Sequence, residues 1–391
     1  MAINALSYLL NRSGMGFVIK TPDGTEETLN HLLYIDDLKL YAKNKDQLAS
    51  LMNTVLKFTT DIKMEFGLDK CAHISIEHGK VIDTETLELM LNDVSIQNLD
   101  ENQYYKYLGI KQYLNINHSQ IKRELTNQYK SRLKKILNTG LKSKHLFMAI
   151  NTYCVPILTY SFGLIKWSET DVKALDIETR VSLTKNNTHH PKSSKERLYI
   201  PRKNGGRGLV NIASQWKTQT TKLREYFQQV KNRSNKIKNM CRADNKYTPL
   251  QLNQEYSDIR TTDETKERER NWKSMELHGR FPSEMEKTHA HESTHYLTSG
   301  NLYRETEGFI TAIQDQVITT KNYRKYILRE NLEDKCRMCN SQSETIQHIT
   351  TGCTVLAGTQ YLQRHDKSCN IIHLHLAKKD RHKIQEEPYY K

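Results

Sequence analysis

The sequence predicts an α+β chain: a small mixed unit first, then long basic helices, then a compact Cys/His knuckle. Three observations carry this. Short β-branched and aromatic runs, separated by turn residues, fill the first part of the chain up to about residue 115. From Ser119 onward apolar residues recur at helical spacing among lysines and arginines. Near the C-terminus four possible metal ligands follow one another as Cys336-X2-Cys339-X8-His348-X4-Cys353.

The elements follow in order. Residues 1–12 read as the end of an amphipathic helix with Leu6, Leu9 and Leu10 on one face. Phe17-Val-Ile-Lys is a strand, and Asp23-Gly24 supplies the turn signal after it. His31 to Tyr34 and Leu38 to Tyr41 are β-rich runs that leave Asp36-Asp37 on a tight connection. Asp46 opens a helical pattern of Leu48, Leu51, Met52, Val55, Leu56 and Phe58 that ends near Gly67. His73 to Glu77, Val94 to Ile96 and Tyr105 to Ile110 complete the mixed unit.

Leu146 to Ile165 contains no Asp, Glu, Lys or Arg over a length that could span a bilayer. Asn151, Thr152, Pro156, Thr159, Ser161 and Gly163 interrupt it, so the reading is a buried helix broken near Pro156. Pro201-Arg-Lys-Asn-Gly-Gly-Arg-Gly-Leu209 is a glycine-rich loop without the Gly-Lys-Ser or Gly-X-Gly-X-X-Gly of a phosphate cradle. Residues 217–275 are charged with sparse apolar positions and read as a linker or an exposed helical region.

The chain has 391 residues and a net charge of +14, with 59 basic against 45 acidic side chains. The basic excess is spread along the chain, which favours a phosphate-bearing partner. Seven unevenly spaced cysteines do not make a disulfide framework; three of them gather near the C-terminus, as metal ligands do. Met-Ala-Ile-Asn-Ala-Leu-Ser is no secretory signal.

Three constellations carry chemistry. Tyr34-Ile-Asp36-Asp37 would present two hard carboxylates suited to Mg²⁺, with Asp36 the stronger ligand and Asp37 in support. An ordinary Asp-Asp turn is the bland alternative, made less attractive by Leu-Leu-Tyr-Ile before it and Leu-Lys-Leu-Tyr-Ala after it. Cys336, Cys339, His348 and Cys353 can close a tetrahedron around structural Zn²⁺. His365, Cys369, His373 and His375 stand near enough in sequence to replace one ligand, and Lys335 and Arg337 flank the site. The third is a basic helix from Lys122 to Lys144, whose Lys122, Arg123, Lys130, Arg132, Lys134 and Lys135, with Tyr129 among them, could track a phosphate backbone. A solvated helix face is its bland reading. His189-His190 precede Pro191 in a polar loop with no acid at motif spacing, and His289, His291 and His295, near Glu284, Glu286 and Glu292, read as a solvent-exposed polar stretch rather than a metal site.

Taken together and in this order, these segments resemble the pol protein of a non-LTR retrotransposon, of the site-specific class with a restriction-like endonuclease. Tyr34-Ile-Asp-Asp37 resembles its metal-binding turn. Phe66-Gly-Leu-Asp-Lys70 resembles the next palm motif, whose lysine lies near the incoming triphosphate. Tyr105-Lys-Tyr107-Leu-Gly-Ile110 resembles the primer grip. Leu198 to Leu209 resembles the segment after the thumb, and Glu305 to Gln316 and the Cys/His knuckle extend the likeness almost to the C-terminus.

The resemblance implies a reverse transcriptase, an RNA-directed DNA polymerase. Its catalytic residues would be Asp36, Asp37 and Lys70, and Tyr34 and Tyr107 would lie on the nucleic acid beside the basic helix. It also implies Mg²⁺ at the polymerase site, Zn²⁺ in the knuckle, template RNA and a DNA target or primer as partners, no membrane, and nuclear residence. The expected organisation is a partial palm over 1–115, a thumb-like helical region over 116–215, a charged linker over 216–330, and the knuckle with the start of an endonuclease domain over 331–391. The family's fingers, first palm aspartate and nucleotide-selection motif have no counterpart here, so the expectation is a truncated polymerase, inactive alone. The alternative is a non-catalytic RNA- or DNA-binding remnant that uses the basic thumb and the knuckle.

Overall fold

The computed structural model describes residues 2–20, 24, 26–65, 67, 70–82, 90–91, 94–113, 115–254 and 263–379. The fold is mixed helix and strand, as the α+β prediction requires. The chain divides into two compact units. The first gathers residues 1–129, 157–169 and 216–259; the second gathers 130–156, 170–215 and 260–391.

In the first unit the helix Ala2–Arg12 buries Leu6 and Leu10 against Leu51 and Val55 of the helix Lys45–Asp61. Leu9, expected on the same face, is exposed; the i, i+4 pair alone forms the contact. Asn44 caps the second helix by accepting the Gln47 N–H at 3.0 Å, two residues before the predicted start at Asp46. Its other face, Leu48, Met52 and Leu56, packs on Ile96. That helix is therefore held on two sides.

The strands pair two by two, and among the described residues no sheet exceeds two strands. His31–Tyr34 pairs antiparallel with Asp37–Leu40, placing Tyr34 opposite Asp37. Tyr105–Tyr107 pairs with Ile110–Gln112 through Leu108 and Gly109, at φ 47° and 78°. Two successive positive φ values suit a two-residue hairpin whose twist matches its strands. These strands have two to four residues each.

The apolar run is broken where expected. Ser143–Ala149 is α-helical, Ile150–Cys154 forms a π turn, and Val155–Thr159 resumes as α-helix around Pro156. A proline lacks the N–H that the α ladder needs, and the wider turn accommodates that gap. Among the described residues no helix is long and apolar enough to cross a membrane. Asn151, within the π turn, accepts the Val210 N–H at 2.9 Å and donates to the Gly208 carbonyl at 2.7 Å.

The second unit is built around buried charge. Arg207 is fully buried; its Nε lies 2.6 Å from Glu307 Oε1, and its Nη1 and Nη2 donate to the Thr188 carbonyl and Ser143 Oγ, both at 3.0 Å. Arg202 pairs with the other oxygen of Glu307. Arg197 pairs with the buried Asp315 at 2.9 Å and lies against the rings of Trp272 and Phe281. Gly206 lets the loop fold onto Ile200, because a Cβ there would stand 2.0 Å from the Ile200 carbonyl oxygen. The N–H groups of Arg207, Gly208 and Leu209 bond back to residues 197, 200 and 198, which leaves this loop no phosphate cradle.

The expected linker over 216–330 is therefore corrected. Helices Glu264–Ser274, Arg280–Met285, Ala290–Thr298, Arg304–Gln314 and Lys321–Tyr326 pack here, with Trp272, Met285 and Leu297 buried. A search for apolar periodicity undercounts this core, because paired arginines and acids fill much of it. Residues 255–262 lie outside the described residues.

Two outcomes follow from the buried charges. Glu307→Ala, which strands Arg207 without its carboxylate, is expected to cost about 3–5 kcal/mol in denaturant unfolding. A loss under about 1 kcal/mol would show that the pairing is dispensable. His189 is buried, and that burial, with Arg207 beside it, pushes its pKa from 6.5 down to about 3. The unfolded chain takes up a proton below 6.5 that the folded chain refuses. The stability is thus complete above that pH and is lost as the pH falls toward 3. Between pH 7 and 5 the loss through His189 is about 2 kcal/mol. Unfolding of His189→Gln should show a correspondingly flatter pH dependence, and an identical one would remove His189 from the account.

Candidate metal centre and carboxylate hairpin

The metal centre is assembled by a tight turn, a π turn and one tyrosine. Lys335 bridges antiparallel to Ser343, and Cys336 N–H donates to the Gln342 carbonyl at 2.7 Å. This closes the Cys336–Cys339 turn, which Asn340 exits at φ 52°. Asparagine is among the side chains that tolerate that region. The π turn His348–Gly352 then delivers Cys353. The Tyr361 hydroxyl bonds to the His348 and Ile349 carbonyls and to the Cys353 N–H, at 3.1, 2.8 and 3.1 Å.

The ligand atoms of Cys336, Cys339, His348 and Cys353 all lie within 4.8 Å of one another. Cys336 Sγ and Cys353 Sγ are 4.0 Å apart, and Cys339 Sγ and His348 Nε2 are 3.3 Å apart. Zinc bonds of about 2.0–2.3 Å give tetrahedron edges of this size. Gln342 Oε1 sits 3.0 Å from His348 Nδ1, which holds the proton there and turns Nε2 toward the sulfur. A hydrogen bond from Ser341 draws the Cys339 thiol below its ordinary range, while burial raises Cys353. This set can hold a metal such as zinc. His365, Cys369, His373 and His375 belong instead to the helix Leu362–Lys379 and do not enter it.

Glu344 ties the turn to the helix Lys321–Tyr326. Fully buried, it accepts Arg337 Nε at 2.8 Å, Arg337 Nη2 at 2.6 Å, and the Arg337 and Lys321 N–H groups at 2.9 Å. Those bonds hold its carboxyl at about 2, and they occupy the Arg337 guanidinium beside the site. Lys335 pairs with Glu333.

In the first unit Ile35 and Asp36 form a two-residue turn, and Tyr34, Ile35, Asp36 and Asp37 are all exposed. Ile35 has φ 59°, a position that a β-branched residue occupies at a cost. Period-two alternation sends Leu38 and Leu40 to the core beside Leu51, and Asp37, Lys39 and Tyr41 to the other face. There Lys39 Nζ donates to Gln112 Oε1 at 2.7 Å and lies over the Tyr41 and Tyr107 rings, 5.5 and 5.7 Å from their centroids. Burial lowers the Lys39 pKa. Burial first, and then Asp37, raises the Tyr107 phenol; Tyr105 is raised by burial, Cys71 and Asp37.

The structure thus brings Asp37 together with Tyr105 and Tyr107. Tyr107 is a packed, buried member of this cluster. Sequence reasoning missed Lys39, although the same alternation points to it. Lys70 is exposed next to Cys71, while Phe66, Leu68 and Asp69 of its motif lie outside the described residues. Among the described residues no third carboxylate joins Asp36 and Asp37; the only group of three or more possible metal ligands is the Cys/His set.

The helix His118–Leu137 buries Ile121, Tyr129, Leu133, Ile136 and Leu137. Tyr129 is therefore core and no part of a binding face. In the first unit Arg123 is exposed and Lys122 half-buried. In the second, Lys130, Arg132, Lys134 and Lys135 are exposed; Lys130 pairs with Glu178 at 3.2 Å, and Arg132 donates to the Tyr153 carbonyl at 2.9 Å. No family model matches the chain, and neither does any curated protein.

Cys336→Ser is expected to remove zinc and to open residues 331–375 to protease, because a structural metal contributes folding energy. Unchanged zinc content in the purified variant would dismiss the site.

Proposed function

We propose that this chain is part of a reverse transcriptase of the non-LTR retrotransposon type. The observation that carries the reading is the Tyr34–Asp37 hairpin, which puts two adjacent carboxylates at the exposed tip of a two-residue turn. In this reading Asp36 and Asp37 hold Mg²⁺ together with one further carboxylate from outside the described set. The cation would supply charge neutralisation at the attacking 3′-hydroxyl and the leaving phosphate. Lys39, anchored on Gln112, fixes the hairpin against the Tyr105–Gln112 hairpin and so keeps Asp37 from swinging. Misplacement by about 1 Å already costs much rate in such a site.

Lys70 would face the incoming triphosphate. The exposed Lys130, Arg132, Lys134 and Lys135 would follow the backbone of template RNA or primer DNA. The Cys/His centre, closed by four ligands, acts structurally as a zinc knuckle. Nuclear residence belongs to this reading. A second reading, a binding module without catalysis, is favoured by one observation: only two carboxylates meet at the hairpin among the described residues.

Primer extension on an RNA template with Mg²⁺ tests the choice, run with a polypeptide that supplies the fingers and first palm aspartate of such a polymerase. Extension is expected, and Asp36→Ala should reduce it at least about a hundredfold while RNA affinity changes less than about twofold. Equal extension by the variant would remove Asp36 from the mechanism. RNA binding without any extension would leave the second reading.

A further inference from the structure

At the start of the strand His31–Tyr34, away from its carboxylate turn, three side chains form a relay that neither the metal centre nor the hairpin uses. Ser7, on the helix Ala2–Arg12, places its Oγ 2.8 Å from His31 Nε2. His31 Nδ1 lies 2.7 Å from Asn30 Oδ1. A strand rise of about 3.3 Å per residue puts His31 roughly 10 Å from Tyr34 and further from the carboxylates beyond it.

Asn30 fixes the direction of each hydrogen bond. It is buried, and its Nδ2 donates to the Leu10 carbonyl at 2.6 Å. Its amide oxygen therefore faces the ring and accepts, so the ring proton stays on Nδ1. Nε2 keeps its lone pair, and the Ser7 hydroxyl donates to it. The Asn30 carbonyl also accepts the Tyr41 N–H at 2.8 Å, which ties the residue into the hairpin. Burial first, and then the Lys236 charge, lowers the His31 pKa and keeps the ring neutral at neutral pH. Ser7 and His31 are only half-buried, so the pair is open to reagents from solvent.

We propose that Ser7 is a nucleophile, His31 its general base and Asn30 the residue that positions the ring, and that this relay accepts an acyl group from a carboxylic ester. A hydroxyl is a weak nucleophile until a base within hydrogen-bond reach, itself oriented by a third group, takes its proton. Ser7 Oγ attacks the ester carbonyl as its proton passes to Nε2, and the Oγ–C bond forms. The developing oxyanion lies in the field of Lys236, the second residue of the helix Asn235–Ala243. The ester C–O bond then breaks, and the leaving oxygen takes the proton from Nε2. Water, deprotonated by the same nitrogen, releases the acid and restores Ser7. A serine that merely docked the helix on the strand could bond either tautomer of the ring. Here the tautomer is set, and it is the one that can take the proton.

The test uses the full chain at neutral pH with diisopropyl fluorophosphate, which forms an Oγ–P bond as fluoride and a proton leave. Peptide mass spectrometry is expected to place the label on Ser7, and Ser7→Ala to lose it. His31→Gln, which can still hydrogen-bond the serine, should label at least about a hundredfold more slowly. Nitrophenolate release from para-nitrophenyl acetate should follow the same order. Nitrogen NMR of the wild-type His31 ring should show Nδ1 protonated and Nε2 bare, and Asn30→Ala should mix the two tautomers. A wild-type chain unlabelled at Ser7, or a His31→Gln chain labelled as fast, would overturn the proposal. So would a wild-type ring protonated on Nε2 alone.

Discussion

Glu307 carries its charge where water cannot reach it, and the second unit is arranged to neutralise that charge. Its two oxygens take Arg207 and Arg202, and Ser143 donates to one of them at 2.7 Å. These partners come from the segment before the π turn and from the glycine-rich loop. The same arginine that pairs with Glu307 also bonds the Thr188 carbonyl. Gly308 permits the approach, since a Cβ there would stand 2.7 Å from the Thr188 oxygen. Removing one member leaves an uncompensated charge, whereas a complete set costs little net energy. Arg197 and Asp315 repeat the device about two helical turns further on, under Trp272.

How legible this was depends on the physics of each element. The hairpin at Asp36-Asp37, the break near Pro156 and the metal ligands were readable because periodicity, a missing N–H and ligand spacing are local. The two segments Leu198–Leu209 and Glu305–Gln316 were each singled out in the sequence, yet nothing local says that Arg202 and Arg207 meet Glu307. Charge pairing across a hundred residues has no periodic signature, so 216–330 read as a linker. Tyr129 was misjudged for a related reason: an aromatic among lysines looks like a binding face until the helix is seen to turn it inward.

The two candidate centres differ in kind. At Cys336, Cys339, His348 and Cys353 every ligand is provided, and Gln342, Ser341 and Tyr361 hold the ligands in place, as a structural site requires. At Asp36 and Asp37 the chain presents charge at an exposed tip and stiffens its base through Lys39 and Gln112. The first arrangement stabilises a fold. The second is suited to a cation shared with another ligand, which is the use proposed for it.

Binding of an RNA–DNA duplex across a salt series would show whether this chain handles nucleic acid as proposed. Between about 50 and 200 mM salt the account predicts a steep, linear fall of log affinity with log salt, made shallower by about one unit in Lys134→Ala. An affinity that ignores salt, or a slope that Lys134→Ala leaves untouched, would contradict it.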